Sequence, residues 1–189
     1  MKYLVTSALP YANAPLHLGH VLEIVQTDVW VRHKNLTEDE ALYFCASDTH
    51  GTPIMLKAKE MNISPEDLIK ELHHQHHETF KSFNVNLTNF HTTHSEENKE
   101  LTSEIFNKAL QKKYIYKKQI SQLYDEKEHL FLADRFVKGA CPACDAEDQY
   151  GDACEKCGST YDALELKNPI SVLSDSIPTI KESEHYFFK

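Results

Sequence analysis

The chain has 189 residues, 41% of them hydrophobic and 26% charged, enough for one domain with an inserted module or for two small domains. Its net charge of -9 argues against non-specific binding to nucleic acid, which needs a basic surface. No apolar run approaches membrane-spanning length, and Met1-Lys2-Tyr3 lacks the apolar core of a secretory signal, so the cytoplasm is the expected compartment.

A first strand is predicted over Leu4–Ala8, after which Pro10, Asn13 and Pro15 break regular structure. Apolar Leu18, Val21, Leu22, Val25 and Val29 then recur at helical spacing and predict a helix from Leu16 to about Lys34. Its first turn carries His17-Leu18-Gly19-His20. The unpaired N–H groups and positive dipole end of such a helix start suit a phosphate. Two imidazoles would add donors, and Gly19 would let a ligand approach the backbone. The string by itself also fits a helix start with two exposed histidines.

Asn35–Glu40 reads as a polar connection and Ala41–Ala46 as a parallel strand buried on both faces. That strand ends in the polar cluster Ser47-Asp48-Thr49-His50-Gly51. A short helix, Ile54–Met61, follows Pro53. Ser64 as N-cap, Pro65 at the first position and acids at Glu66 and Asp67 predict a helix running to about Phe83. Its histidines, His73, His74, His76 and His77, read as a solvated face rather than a metal site, because no orienting carboxylate is evident. Leu87–Thr92 is the third strand candidate, and a helix runs from Glu96 to about Lys112. This β-α-β-α-β-α order implies an α/β fold: over residues 1–113, the first half of a doubly wound, Rossmann-like parallel sheet with right-handed crossovers.

Past Lys113 the pattern changes. Tyr114–Gln119, Gln122–Tyr124 and Leu130–Leu132 read as short antiparallel strands, and Glu184–Lys189 as a closing strand. Residues 114–189 thus form a small β-rich module, expected to be incomplete at its C-terminal end. Within it stand four of the five cysteines, as Cys141-Pro-Ala-Cys144 and Cys154-Glu-Lys-Cys157-Gly158. Two C-x-x-C knuckles suit tetrahedral Zn²⁺, and four sulfur ligands leave no open position, so the metal is expected to be structural. Cys45 lies in an apolar run and reads as a buried small hydrophobe. Asp48 stands at a strand's carboxyl end, where open parallel sheets bind ligands. Its residue type fits a loop cap and a partner for an ammonium group equally well.

The stretches T-S-A-L-P-Y-A-N-A-P-L-H-L-G-H, C-A-S-D-T-H-G-T-P, F-H-T-T-H-S-E-E-N and D-R-F-V-K-G-A-C-P-A-C…D-Q-Y-G-D-A-C-E-K-C-G strongly resemble, in order, the zinc-containing bacterial methionyl-tRNA synthetases. His17-Leu18-Gly19-His20 matches the HIGH signature of class I aminoacyl-tRNA synthetases. The resemblance implies attack of the methionine carboxylate on the α-phosphorus of ATP (with Mg²⁺), then transfer of the methionyl group to tRNA(Met). It implies that His17 and His20 are catalytic and, with Gly19, bind ATP. Leu9 and Tyr11 would line the methionine pocket, with Asp48 on the α-ammonium. Glu23 lies on the helix face of Leu16, Gly19 and His20 and is a supporting candidate.

The chain departs from the family pattern at Ala14-Pro15, where a glycine usually follows Y-A-N. It also lacks the KMSKS loop and the anticodon-binding domain. The resemblance therefore implies an N-terminal fragment that needs the remaining part of a synthetase as partner and does not aminoacylate alone. Two other readings stay open: another nucleotidyl-transfer enzyme with an H-x-G-H helix start, and a zinc-ribbon binding module.

Overall fold

The computed structural model describes residues 1–37 and 39–189; Glu38, in the expected polar connection, lies outside them. Backbone contacts divide the chain into two units, Met1–Ile105 and Phe106–Lys189.

The first unit runs β1 (Lys2–Thr6), α1 (Leu18–Leu36), β2 (Glu40–Ser47), α2 (Thr52–Met61), α3 (Pro65–Ser82), β3 (Asn89–Thr92) and the start of α4 (Glu96–Gln111). The strands form one sheet in the order β1-β2-β3, with both pairs parallel. Both crossovers step the same way across the sheet, and crossovers of one hand then place their helices on one face. Accordingly Ile24 of α1 and Phe80 of α3 share a cluster with Cys45, while Val31 of α1 packs with Ala41 and Tyr43.

This one-sided cover corrects the expectation for β2. Ala41, Tyr43, Cys45 and Ser47 are buried, but between them Leu42 is 40% exposed and Phe44 and Ala46 are only half-covered. From Ala41 to Ala46 the strand is apolar yet it is buried on one face, and α4 buries none of its residues.

The helix ends follow local chemistry. At α3 the Ser64 hydroxyl accepts from the Asp67 N–H at 3.0 Å, Pro65 fills the first turn, and Glu66 and Asp67 face the positive dipole end. α1 begins at Leu18, two residues later than predicted, because Pro15 favours extended backbone before it and His17 caps the helix. Asp28, buried in α1, accepts from Arg32 Nε at 2.6 Å and from the Asn86 N–H at 2.9 Å, tying the helix to the loop before β3.

The histidine run of α3 differs from the expected solvated face. Leu68, Leu72, His76 and Phe80 recur every four residues and form the buried stripe of the helix. His76 is fully buried. His73 and His77 are half-buried and only His74 is exposed.

The second unit runs β4 (Ile115–Asp125), β5 (Leu130–Phe131), β6 (Val137–Ala140), β7 (Gln149–Tyr150), β8 (Lys167–Ser171) and β9 (Thr179–Phe188), with short 3₁₀ turns before β6 and β8. Two antiparallel sheets result, ordered β5-β4-β9 and β7-β6-β8. β4 is one continuous strand where two were predicted, and β9 starts five residues earlier than the predicted Glu184. The two form a long ribbon whose register runs from Ile115↔Phe188 to Tyr124↔Thr179. Its polar side chains reach across the ribbon to one another, as in the diagonal ion pair Lys117–Glu184 at 2.5 Å, so their polarity marks exposed faces rather than strand breaks. Pro169 sits in β8, an edge strand, where its missing N–H costs no ladder bond. The core is small: Leu123, Leu132, Val137 and Leu166, with Phe136, Tyr161 and Leu173 against them.

Beside that core lies a buried carboxylate. Asp125 accepts from the Lys127 and Glu128 N–H groups at 2.9 and 3.0 Å. It also accepts from the hydroxyls of Ser171 at 2.5 Å, Ser174 at 2.6 Å and Ser176 at 3.4 Å. Burial alone would push its pKa up, but the hydroxyls of Ser171 and Ser174 and the two backbone donors hold it well below the usual carboxylate range. Replacing Asp125 by alanine leaves these donors unpaired. Because hydrogen bonds to a charged group are worth about 1.5–3 kcal/mol, Asp125→Ala is expected to cost at least that much in the second unit, read as a fall in its urea midpoint.

Candidate functional site

The candidate site of the first unit is built on the carboxyl ends of β1 and β2. Past Thr6 the chain stays beside β2: the Asp48 N–H donates to Pro10 O at 2.9 Å and the Ala12 N–H to Asp48 O at 2.8 Å. Tyr11 and Asp48 thereby pair as an isolated parallel bridge. Pro10 and Ala12 are buried, and Ala12 packs into the cluster of Ile54, Ala58, Leu68, Ile69 and Leu72, with Tyr11 against it. Leu9, in contrast, is 41% exposed. The main chain of Asp48 makes this pairing, and its half-exposed carboxylate takes no part in it.

Gly51 supports Tyr11. Its φ of +121° is disfavoured for side-chain-bearing residues, and a Cβ there would meet the Tyr11 hydroxyl oxygen at 2.9 Å. Sequence reasoning placed Gly51 in a polar cluster and gave it no role. The signal was its position directly before Thr52-Pro53, where the chain turns into α2. Glu23 meets the same loop from α1, its Oε1 accepting the Ala8 N–H at 2.8 Å.

The start of α1 is capped by imidazoles. His17 Nδ1 accepts the Gly19 N–H at 3.1 Å and His20 Nδ1 accepts the His17 N–H at 3.3 Å, a reciprocal capping box in which histidines do the work of Ser and Glu. The rings stack with centroids 3.7 Å apart. The space a Cβ would take on Gly19 holds the His17 ring, at 2.9 Å. An Nδ1 that accepts leaves the proton on Nε2, so each ring offers one Nε2–H donor away from the helix. Burial pushes the His20 pKa down, and positive charge on His17 would push it further; Glu23 opposes both.

In the second unit Cys141, Cys144, Cys154 and Cys157 converge, with all four sulfurs within 4.8 Å of one another. Sγ–Sγ distances are 3.8 Å for Cys141–Cys157 and 3.7 Å for Cys144–Cys154. A tetrahedral site with metal–sulfur bonds of about 2.3 Å has edges of about 3.8 Å, so the donor set fits a four-thiolate metal ion. The knuckles match each other. Asp145 N–H donates to Cys141 O at 3.1 Å and Gly158 N–H to Cys154 O at 2.9 Å. Both closing residues have positive φ, +57° and +74°. Asp145 takes this backbone where a glycine is more usual, and its carboxylate meets Lys167 Nζ at 2.5 Å.

Among the described residues, no helix is long and apolar enough to cross a membrane. Residues 3–189 match the family described as tRNA synthetases class I (M). A methionine–tRNA ligase of Francisella tularensis subsp. holarctica (strain OSU18) is 54% identical over 187 residues, 99% of this chain but 28% of that protein. The chain thus spans little more than a quarter of that relative. Mycobacterium tuberculosis methionyl-tRNA synthetase bound by methionyl-adenylate superposes with a TM-score of 0.69 at 20% identity, over 100% of this chain and 32% of that one. An Agrobacterium radiobacter K84 LeuRS in a ternary complex with tRNA and LeuAMS gives 0.68 at 16% identity, over 99% of this chain and 20% of that one. At these identities both structures speak to the fold.

Acid should loosen the first unit. His20, His73 and His76 all have pKa values below the ordinary 6.5, with burial the largest cause in each. A depressed pKa contributes stability that is fully present above the unfolded value and is lost as pH falls through the folded one. The urea midpoint followed by fluorescence of Trp30, the single tryptophan, is therefore expected to fall between pH 7 and pH 5. A flat profile over that range would mean the three rings carry no such stability.

Proposed function

Since the chain belongs to the class I tRNA synthetases of the methionine type, we propose that its first unit carries the methionine- and ATP-facing wall of a methionine–tRNA ligase. The observation that carries this reading is the Tyr11–Asp48 bridge. It sets an acidic side chain and a half-buried aromatic side by side at the sheet's carboxyl end, on the loop that leads into the two-histidine helix start.

Each group then has a task. The Asp48 carboxylate holds the α-ammonium of methionine. Leu9 and Tyr11 offer an apolar and an aromatic surface to its thioether, which packs well against rings. The substrate carboxylate attacks the α-phosphorus of ATP, whose Mg²⁺ enters with it as part of the substrate, and pyrophosphate leaves. The Nε2–H donors of His17 and His20 stabilise charge developing on the phosphate oxygens, and Gly19 keeps the helix start open to the His17 ring. These rings need not be cationic for that role, because their Nδ1 atoms are occupied as caps. A hydroxyl at the 3′ end of tRNA(Met) then attacks the methionyl carbonyl of the adenylate, the ester forms and AMP leaves. tRNA(Met) and the remaining part of a synthetase are partners in this reading, and the cytoplasm is where the reaction is used.

Zn²⁺ is the metal we assign to Cys141, Cys144, Cys154 and Cys157. Four thiolates leave it no open coordination position, so no step of the reaction passes through it. It stabilises a segment with little apolar core of its own, and such sites contribute about 10–16 kcal/mol to the folding of small zinc modules.

Two measurements test this. Calorimetric titration of the zinc-loaded chain should show methionine binding that Asp48→Ala weakens about 10- to 100-fold, the equivalent of about 1.5–3 kcal/mol for hydrogen bonds to a charged group. Equal affinity in the variant would remove Asp48 from the site. Metal analysis should give about one zinc per chain. Its chelation should erase the near-ultraviolet circular dichroism of the second unit while Trp30 fluorescence stays unchanged.

A further inference from the structure

α3 carries two histidines, one turn apart, that each hold a different wall of the candidate site. His76 Nε2 lies 3.0 Å from Ala14 O, midway along the segment between Tyr11 and His17. His73 Nδ1 lies 2.9 Å from the hydroxyl of Ser47, the residue before Asp48. His73 is held in turn by Phe90, whose ring is parallel to it at a centroid distance of 4.8 Å.

His76 is the more telling of the two. It is fully buried, at 0% exposure, and it occupies a stripe otherwise made of Leu68, Leu72 and Phe80. Among the described residues its Nδ1 has no hydrogen-bond partner. A leucine would continue the stripe and leave no buried ring nitrogen unpaired, an arrangement that otherwise costs free energy. A polar ring at that position is favourable only through its other nitrogen, which donates to Ala14 O. Ala14 and its neighbour Pro15 lie in an irregular segment between the Ala12 pairing and the start of α1, with no ladder bond of their own. Without this donor the stretch Asn13–Pro15 is held only through its flanks, Ala12 in the α2–α3 cluster and Leu16 against Ile24, Cys45 and Phe80.

We propose that His76, assisted by His73, is a positioning residue: from a single helix face it fixes the loop bearing Leu9 and Tyr11, the Asp48 strand end and the His17–His20 helix start relative to one another. The proposal extends the function assigned above and rests on it for the identity of the substrate, but the geometric claim can be tested separately. His76 touches no reacting group; it acts through the Ala14 carbonyl.

The test compares three variants of the whole chain by amide hydrogen exchange and by methionine calorimetry. His76→Leu keeps an apolar stripe and removes the donor. His76→Gln places a donor near the position of Nε2. Leu72→Ala, one turn away on the same stripe, destabilises the unit by a cavity and leaves the donor intact. Compared at conditions of equal global stability, His76→Leu is expected to speed exchange of the Ala12, Asp48 and Gly19 amides by about 10-fold over Leu72→Ala, and to weaken methionine binding by a similar factor, corresponding to about 1.4 kcal/mol. His76→Gln should restore most of both. If His76→Leu and Leu72→Ala speed exchange alike across the whole unit, His76 is a scaffold residue and the proposal falls. If the unsubstituted chain fails to bind methionine, the assigned function fails, while the exchange pattern still decides the role of His76.

Discussion

Two backbone hydrogen bonds, from Asp48 to Pro10 and from Ala12 to Asp48, organise the first unit beyond its sheet. They continue the β1–β2 pairing for one step after β1 has ended as a strand, and so turn an irregular loop into part of the scaffold. Ala12 can then enter the α2–α3 core, and it is the main chain of Asp48, not its carboxylate, that makes the bond. The helix start that follows is prepared by the same economy. Pro15 ends the loop, and His17 satisfies the Gly19 N–H of α1 and His20 the N–H of the cap residue, while each ring retains one outward donor.

The sequence was most readable where punctuation and chemistry coincide. Pro10, Pro15, the Ser64-Pro65 cap and the two C-x-x-C knuckles each dictate a local backbone, and the order of the first unit follows from them. It was least readable where burial depends on partners far along the chain. The polar residues of β4 and β9 look like loop until each strand is set against the other. The four-residue spacing of Leu68, Leu72, His76 and Phe80 was visible, but three other histidines beside His76 made the run look like a solvated face. β2 looks doubly buried by composition, and only the one-sided placement of α1 and α3 shows which alternate residues are covered.

The two units reach order by different means. The first rests on apolar clusters under a sheet, with buried polar groups such as Asp28, Ser47 and His76 used to pin loops to helices. The second has four residues at the centre of its core and gathers the rest of its order from polar and sulfur ligation. Asp125 collects five donors and the four thiolates converge on one another. Both centres gather groups of one kind around a focus, which gives definite geometry to a chain segment too short to enclose a large apolar interior.

The β4–β9 ribbon has a kinetic consequence. It brings Tyr114 and Lys189 within one hydrogen bond, at 2.9 Å, so its pairing closes nearly the whole second unit into a loop. Loop closure of that length costs roughly 4 kcal/mol of chain entropy before any contact is gained. The cysteine knuckles, in contrast, close over a few residues each, and the two of them lie near one another in sequence. Contacts of short range form first and those of long range last. The second unit is therefore built to fold from its sulfur-rich centre outward, with the aromatic-lined mouth of the ribbon as the last part to zip and the first to fray.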